Sequence, residues 1–227
     1  MVFKSMTPII PLYSRGPSVK VLFEDDSVLA LEKPSGIPTV PGCSPEISLK
    51  ESLETLKGKV FVVHRLDKLT SGVVLFAKEP ASHKYLCSLF ESRRAKKEYV
   101  CLVSGNTEEE FFVSLPIRQF GSGRMGYDPN GKESETRFCK IAEGRYYTLL
   151  KAFPITGRRH QIRVHLYLRG FPVLGDPLYG SQNIRGRYRL MLHAHRLTYV
   201  NPSGNLIEIC SAIPEEFFHV LQEGDED

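Results

Sequence analysis

Short apolar runs, broken by polar and turn-forming stretches, set the pattern of this chain. Residues 19–23 and 28–31 are strand-length apolar runs parted by the turn-forming residues 24–27. Lys33-Pro34-Ser35-Gly36 is turn chemistry. Residues 47–56 carry helical spacing entered from Pro45. Residues 60–63 and 72–77 predict β-branched strands on either side of the polar stretch 64–71. A polar loop at such a strand–loop–strand junction is a common seat for chemistry on a rigid scaffold.

Further on, residues 80–94 predict an amphipathic helix with Tyr85, Leu86, Leu89 and Phe90 on one face. A strand is expected over 98–103, and the glycine-rich residues 119–132 read as a long loop or hairpin tip. Residues 135–141 and 146–153 alternate as antiparallel strands do. A helix is expected over 158–168, opened at Thr156-Gly157 and closed by Gly170. Residues 191–200 and 206–213 flank Asn201–Asn205 as a hairpin, and 214–221 predict a final helix with Pro at its start. There is no internal repeat and no βαβ rhythm, which favours an α+β fold with a mainly antiparallel sheet. Residues 1–17, with three prolines and little periodicity, read as a flexible arm without the features of a signal peptide. Residues 18–222 read as one domain of two subdomains, and 223–227 as an acidic tail.

Charge sharpens this picture. The formal net charge is +4, of which Glu223, Asp225, Glu226 and Asp227 contribute −4, so the rest carries +8. A basic body favours a polyanionic partner. Five widely spaced cysteines without a Cys-x-x-Cys argue against a disulfide framework or a cysteine zinc site, and for reduced thiols in a cytosolic protein. The longest apolar runs are strand-sized, so no membrane-spanning segment is expected.

Four segments carry candidate chemistry. His64-Arg65-Leu66-Asp67 sits in the polar loop and reads either as a reactive site or as a surface turn with an Arg–Asp pair. Thr156-Gly157-Arg158-Arg159-His160-Gln161-Ile162-Arg163 places Arg159 and Arg163 four apart on the expected helix, suiting a phosphate at its N-terminus or an ordinary solvated basic face. Arg93-Arg94-Ala95-Lys96-Lys97-Glu98-Tyr99 is a basic run entering a strand. Arg185-Gly186-Arg187-Tyr188-Arg189 interleaves arginine with an aromatic, which fits RNA contact as well as a plain basic loop.

In this order, and with Leu31-Glu32-Lys33-Pro34-Ser35-Gly36-Ile37 before them and Gly175-Asp176-Pro177-x-Tyr179-Gly180 and Leu192-His193-Ala194 after, these motifs resemble the RluA-type RNA pseudouridine synthases. The resemblance spans about residues 19–213. It implies a long, mainly antiparallel mixed sheet in two halves flanked by helices, with RNA bound in a cleft. It assigns Asp67 as the catalytic carboxylate, Tyr99 and Arg163 as active-site partners, and Arg65 as a residue holding the RNA open around an extracted uridine. His64, Lys97, Arg158, Arg159, His160 and Leu192 are expected to contact substrate, with Leu192 as the apolar residue near the base. A ribosomal or transfer RNA partner, a cytoplasmic monomer, and no metal or cofactor follow from the same resemblance.

The residues suit that reaction. Uridine isomerisation breaks the bond between ribose and uracil nitrogen and rejoins the sugar to carbon 5, without redox change. Ordinary glycosidases need two carboxylates and a water. Here one suffices, because the detached uracil returns as the nucleophile. Arg163 is read as the cation that pairs with Asp67 and keeps it ionised. Two other readings compete: a metal hydrolase using His160, His165, His193 and His195, and a non-catalytic RNA-binding relative.

Overall fold

The computed structural model describes residues 9–11, 18–42, 45–180 and 186–223. Its chain divides into two compact units, Met1–Ala95 with Arg196–Ser211 and Lys96–His195 with Ala212–Asp227. The first unit opens with strands β1 (Ile9–Pro11), β2 (Ser18–Glu24) and β3 (Val28–Lys33), each pairing antiparallel with the next. Part of the expected arm, Ile9–Pro11, is thus strand; residues 1–8 and 12–17 lie outside the described residues.

Helix α1 (Leu49–Lys57) starts at a capping box, in which the Ser48 hydroxyl accepts from the Glu51 N–H and the Glu51 carboxylate accepts from the Ser48 N–H. The short β4 (Phe61–Val62) and then β5 (Ser71–Ala77) follow. All seven residues of β5 are buried, as an apolar, β-branched run requires. Its antiparallel partners are β3 and β4. Helix α2 (Pro80–Glu91) begins with Pro at its first turn. It ends before Arg94 because Arg93 turns to φ 59°, a left-handed conformation that no helix continues through. Leu86 and Leu89 of α2 pack with Ala30, Val73 and Leu75 in this unit's core. Burying each such leucine contributes roughly 1.5–3 kcal/mol.

The second unit carries β6 (Lys96–Ser104), β7 (Glu110–Ser114), the hairpin β8 (Ile117–Gln119) and β9 (Met125–Tyr127), β10 (Glu135–Glu143) and β11 (Tyr147–Pro154). Its strand order is β6-β11-β10-β7, antiparallel at each step. The buried–exposed alternation of β7 was not anticipated from the sequence.

Helix α3 (Gln161–Leu168) starts three residues later than expected. The Gln161 side chain is the cause: its Oε1 accepts from the Arg158 N–H at 3.0 Å and from the Thr156 hydroxyl at 2.6 Å, closing a turn over 156–160. His160 then enters the helix from φ 54°. Arg158 and Arg159 therefore lie outside the helix, and the shared Arg159–Arg163 face does not form: Arg159 is exposed, whereas Arg163 is buried.

β12 (Leu192–Val200) leaves the second unit at His195 and continues in the first, where β13 (Leu206–Cys210) pairs with it antiparallel. Helix α4 (Glu215–Gln222) returns to the second unit and buries Phe217, Val220 and Leu221. The architecture is α+β, with antiparallel strands and four helices among the described residues. No described helix is long and apolar enough to cross a membrane.

Candidate active site

The loop carrying Asp67 is fixed from below by the turn that follows β3. Lys33 is fully buried, and its ammonium donates to the carbonyls of Pro34, Ile37 and Lys68 at 2.8, 2.8 and 3.0 Å. The Thr39 hydroxyl donates to the Leu66 carbonyl at 3.0 Å and accepts from the Leu66 N–H at 3.1 Å. Ser35 donates to the Leu69 carbonyl, and the Gly36 N–H to that of Lys68. Within the loop, the Thr70 N–H bonds the Asp67 carbonyl at 3.1 Å. Every backbone position from 66 to 69 thus has its carbonyl engaged, which leaves little freedom to the side chains mounted there.

Leu66 is buried, Arg65 beside it is exposed and Asp67 is half-buried. His64 takes a structural place: its Nε2 accepts from the Leu75 N–H at 3.1 Å, and its ring stacks on Phe90 with centroids 4.7 Å apart. Gly72, at φ 109°, turns the chain from the loop into β5 through a conformation closed to residues with a side chain.

In the second unit, Arg163 is held rigidly. Its Nε and Nη2 donate to the two oxygens of Asp176 at 2.7 and 2.8 Å, with both side chains buried. This is the paired fork geometry that arginine forms best with a carboxylate. Asp176 also accepts from the N–H groups of Leu178 and Tyr179. The guanidinium carbon lies 5.2 Å from the centre of the Tyr179 ring, a cation–π distance. The Tyr179 hydroxyl accepts from the Met125 N–H at 3.0 Å and meets His160 Nδ1 at 3.1 Å. Gly175 makes this turn possible: at φ 70°, a Cβ there would lie 1.9 Å from the Arg189 carbonyl oxygen.

Behind Arg163 runs a buried chain of side chains whose direction is set by its ends. Gln161 Nε2 donates to the Thr136 hydroxyl at 3.0 Å. The Thr136 hydroxyl lies 3.0 Å from His165 Nδ1, and His165 Nε2 lies 2.8 Å from the Ser134 hydroxyl. Ser134 donates its proton to the Leu115 carbonyl, so it accepts from His165, and Thr136 in turn donates to Nδ1. This arrangement needs neutral His165, and burial lowers its pKa to about 4.

Lys97, expected to contact substrate, is largely withdrawn from the surface. Its ammonium donates to the Thr156 carbonyl at 3.0 Å, and burial lowers its pKa to about 8. Tyr99 is half-buried on β6, opposite Ala152 of β11. Leu192 is buried at the start of β12. Arg158 bonds the Glu133 carbonyl through Nε, and Arg159 bonds Gln119; both are exposed. Arg185 lies outside the described residues. The histidines of the metal alternative are used otherwise where their contacts are known, His165 by Ser134 and Thr136 and His160 by Tyr179. Among the described residues no group of three His, Cys, Asp or Glu side chains could hold a metal ion.

The profile of the RNA pseudouridylate synthase family matches residues 27–167 of the 227, a span that contains the Asp67 loop, Tyr99 and Arg163. The chain belongs to the RluA family of RNA pseudouridine synthases. Ribosomal large subunit pseudouridine synthase C of Vibrio vulnificus is 34% identical to this synthase over 214 residues, covering 89% of this chain and 68% of that protein. The dual-specificity RNA pseudouridine synthase RluA of the same organism is 33% identical over 219 residues, covering 91% and 87%. The solved structure of human RNA pseudouridylate synthase domain containing 1 superposes with a TM-score of 0.76 at 27% identity, covering 86% of this chain and 83% of that one. As a pseudouridine synthase, the chain is an isomerase that acts on RNA.

Sequence reasoning gave no role to Asp176, Tyr179, Thr39, Gln161 or the His165 chain. The Gly-Asp-Pro-x-Tyr-Gly motif was visible, but the partner of its carboxylate was not. The one available signal was that motif itself, which sets an acidic residue between Gly175 and Pro177.

Proposed function

We propose that this synthase converts specific uridines of ribosomal or transfer RNA to pseudouridine in the cytoplasm, acting as a monomer, with Asp67 as the catalytic carboxylate. The observation that carries this reading is the rigid mount of Asp67: a half-buried carboxylate on a loop whose carbonyls are bonded by Lys33, Ser35, Gly36 and Thr39. A loop polar enough to stay mobile in solution is instead locked, as a reacting group requires. One relative is named for the large ribosomal subunit, which supports the ribosomal class, and another for dual specificity on RNA, which supports more than one RNA class.

In this reading the uridine leaves its stack, at a cost of a few kcal/mol, and the exposed Arg65 fills the space it vacates. Ionised Asp67 then acts at the sugar, as nucleophile at C1′ or as base toward a ribose proton. The C1′–N1 bond breaks, the uracil turns, and a C1′–C5 bond forms as the Asp67 oxygen leaves C1′ or, on the base route, as the ribose proton is returned. The proton on C5 leaves, relayed by the Tyr99 hydroxyl, and N1 gains one, so no atom is added or lost overall. Arg163 is the cation that the resemblance assigns to this reaction, and Asp176 orients it. Leu192 offers an apolar surface to the base. Exposed Arg93, Arg94, Lys96, Arg158, Arg159 and Arg187 supply phosphate contacts.

Asp67→Asn preserves shape and removes charge. It abolishes pseudouridine formation, measured on cellular ribosomal and transfer RNA, while RNA binding persists; full activity would overturn the assignment. RNA affinity falls steeply as salt is raised, and a filter-binding titration showing no salt dependence would contradict the phosphate contacts.

A further inference from the structure

Residues 187–189 alternate arginine with tyrosine, a composition suited to single-stranded RNA, yet their polar groups are already occupied from within the same unit. Arg187 Nη2 lies 3.2 Å from Glu223 Oε2, and the Tyr188 hydroxyl donates to that same oxygen at 2.7 Å. Arg189 Nε donates to Glu216 Oε1 at 2.6 Å, and its guanidinium lies over the ring of Phe217. Glu216 and Glu223 are seven residues apart, two helical turns, so α4 presents both from one face.

The two contacts differ in firmness. Arg189 is mostly buried and ties α4 down, together with buried Phe217, Val220 and Leu221. The Arg187 and Glu223 side chains are 63% and 45% exposed, so water and salt screen their attraction. Such a pair forms when nothing else is present and yields to a stronger anion. Arg187 also lies 5.1 Å from the ring of its neighbour Tyr188, giving a stacked cation–aromatic surface with one carboxylate across it. Three further acidic residues, Asp225, Glu226 and Asp227, follow in sequence.

We propose that Glu223 stands in for an RNA phosphate. Helix α4 holds it against Arg187 and Tyr188, so this basic–aromatic surface is self-occupied until RNA displaces the carboxylate. RNA is the competitor because the functional reading above makes it the substrate, and the inference rests on that reading. The role of the acidic helix end is then selectivity: weakly bound polyanions fail to displace Glu223, and RNA engaged elsewhere on the protein succeeds.

The test is fluorescence anisotropy of a labelled RNA stem-loop with the full chain and its Glu223→Gln and Glu223→Lys variants, from about 50 to about 200 mM salt. The Gln variant binds roughly 1.5- to 5-fold tighter at low salt. Its plot of log affinity against log salt is steeper by up to about 0.7, the value for one added phosphate contact on a single strand. The Lys variant goes further in the same direction, and adding Arg187→Ala to the Gln variant removes the gain. Unchanged or weaker binding in both Glu223 variants would overturn the inference while leaving the synthase assignment intact. If the unaltered chain bound no RNA at any salt, both would fall, and pseudouridine formation on the same RNA would separate the cases.

Discussion

Replacing Asp176 by Asn isolates what holds Arg163. Asn keeps one oxygen that can accept from the Leu178 and Tyr179 N–H groups, so the turn over 175–180 survives. It presents an NH₂ group, however, where the Arg163 Nε–H now finds a carboxylate oxygen at 2.7 Å. The variant therefore leaves a full positive charge buried beside a second donor. The Arg163 and Asp176 side chains are 3% and 0% exposed, so solvent offers no relief. Breaking a buried pair by removing one partner costs about 3–5 kcal/mol. Against a total stability of roughly 5–15 kcal/mol this is severe but survivable. With a urea slope of about 3 kcal/mol/M, it lowers the unfolding midpoint by about 1–2 M. Adding Arg163→Met takes away the cation facing that NH₂ group and lays an unbranched apolar chain against Tyr179, so the double variant recovers most of the lost stability. Both variants lose pseudouridine formation, because neither presents an oriented guanidinium. A loss below about 1 kcal/mol for the single variant, or a double variant no more stable than the single, would refute the reasoning.

Two further outcomes follow from buried polar groups. His165 has its pKa lowered by burial to about 4, so between that value and its ordinary 6.5 the unfolded chain binds a proton that the folded chain refuses. Its contribution is complete above pH 6.5 and is lost as pH falls toward 4, by about 3 kcal/mol in all. Unfolding curves at several pH values therefore lose stability in acid more steeply for the unaltered chain than for His165→Gln, and parallel curves would contradict this. Lys33→Met strips the carbonyls of Pro34, Ile37 and Lys68 of their shared donor and costs on the order of 3 kcal/mol. It also lowers kcat more than it changes KM, since the Asp67 loop loses its mount; steady-state kinetics with an unchanged kcat would refute that role.

Much of the architecture was written locally. Strands β2, β3, β5, β10 and β11 announce themselves through apolar runs or alternation, because burial of one or both faces selects side chains at a period of two. The helical spacing of 47–56 and of 80–94 likewise marks α1 and α2 from within a few residues, whereas the capping box and the proline that start them came with the structure. The motifs around Asp67 and Arg163 pointed to the family, and its profile covers both.

What the linear order withheld are the partners. The start of α3 moved to Gln161 because that side chain folds back on Thr156 and Arg158, a competition between side chain and backbone that helical periodicity does not register. Thr39 reaches Leu66 across 27 residues, Ser134 reaches His165 across 31, and Lys33 reaches Lys68 across 35. Lys97 looked like a surface cation and is instead spent on the Thr156 carbonyl 59 residues away. The sequence by itself determined many of the strands, β2, β3, β5, β10 and β11 among them, and which residues could carry reactive groups, since these follow from local pattern and residue chemistry. Only the tertiary structure decided which carboxylate orients Arg163 and which side chains hold the Asp67 loop still, because a buried polar group takes whatever partner the fold brings within hydrogen-bond reach, and that partner leaves no periodic trace in the chain.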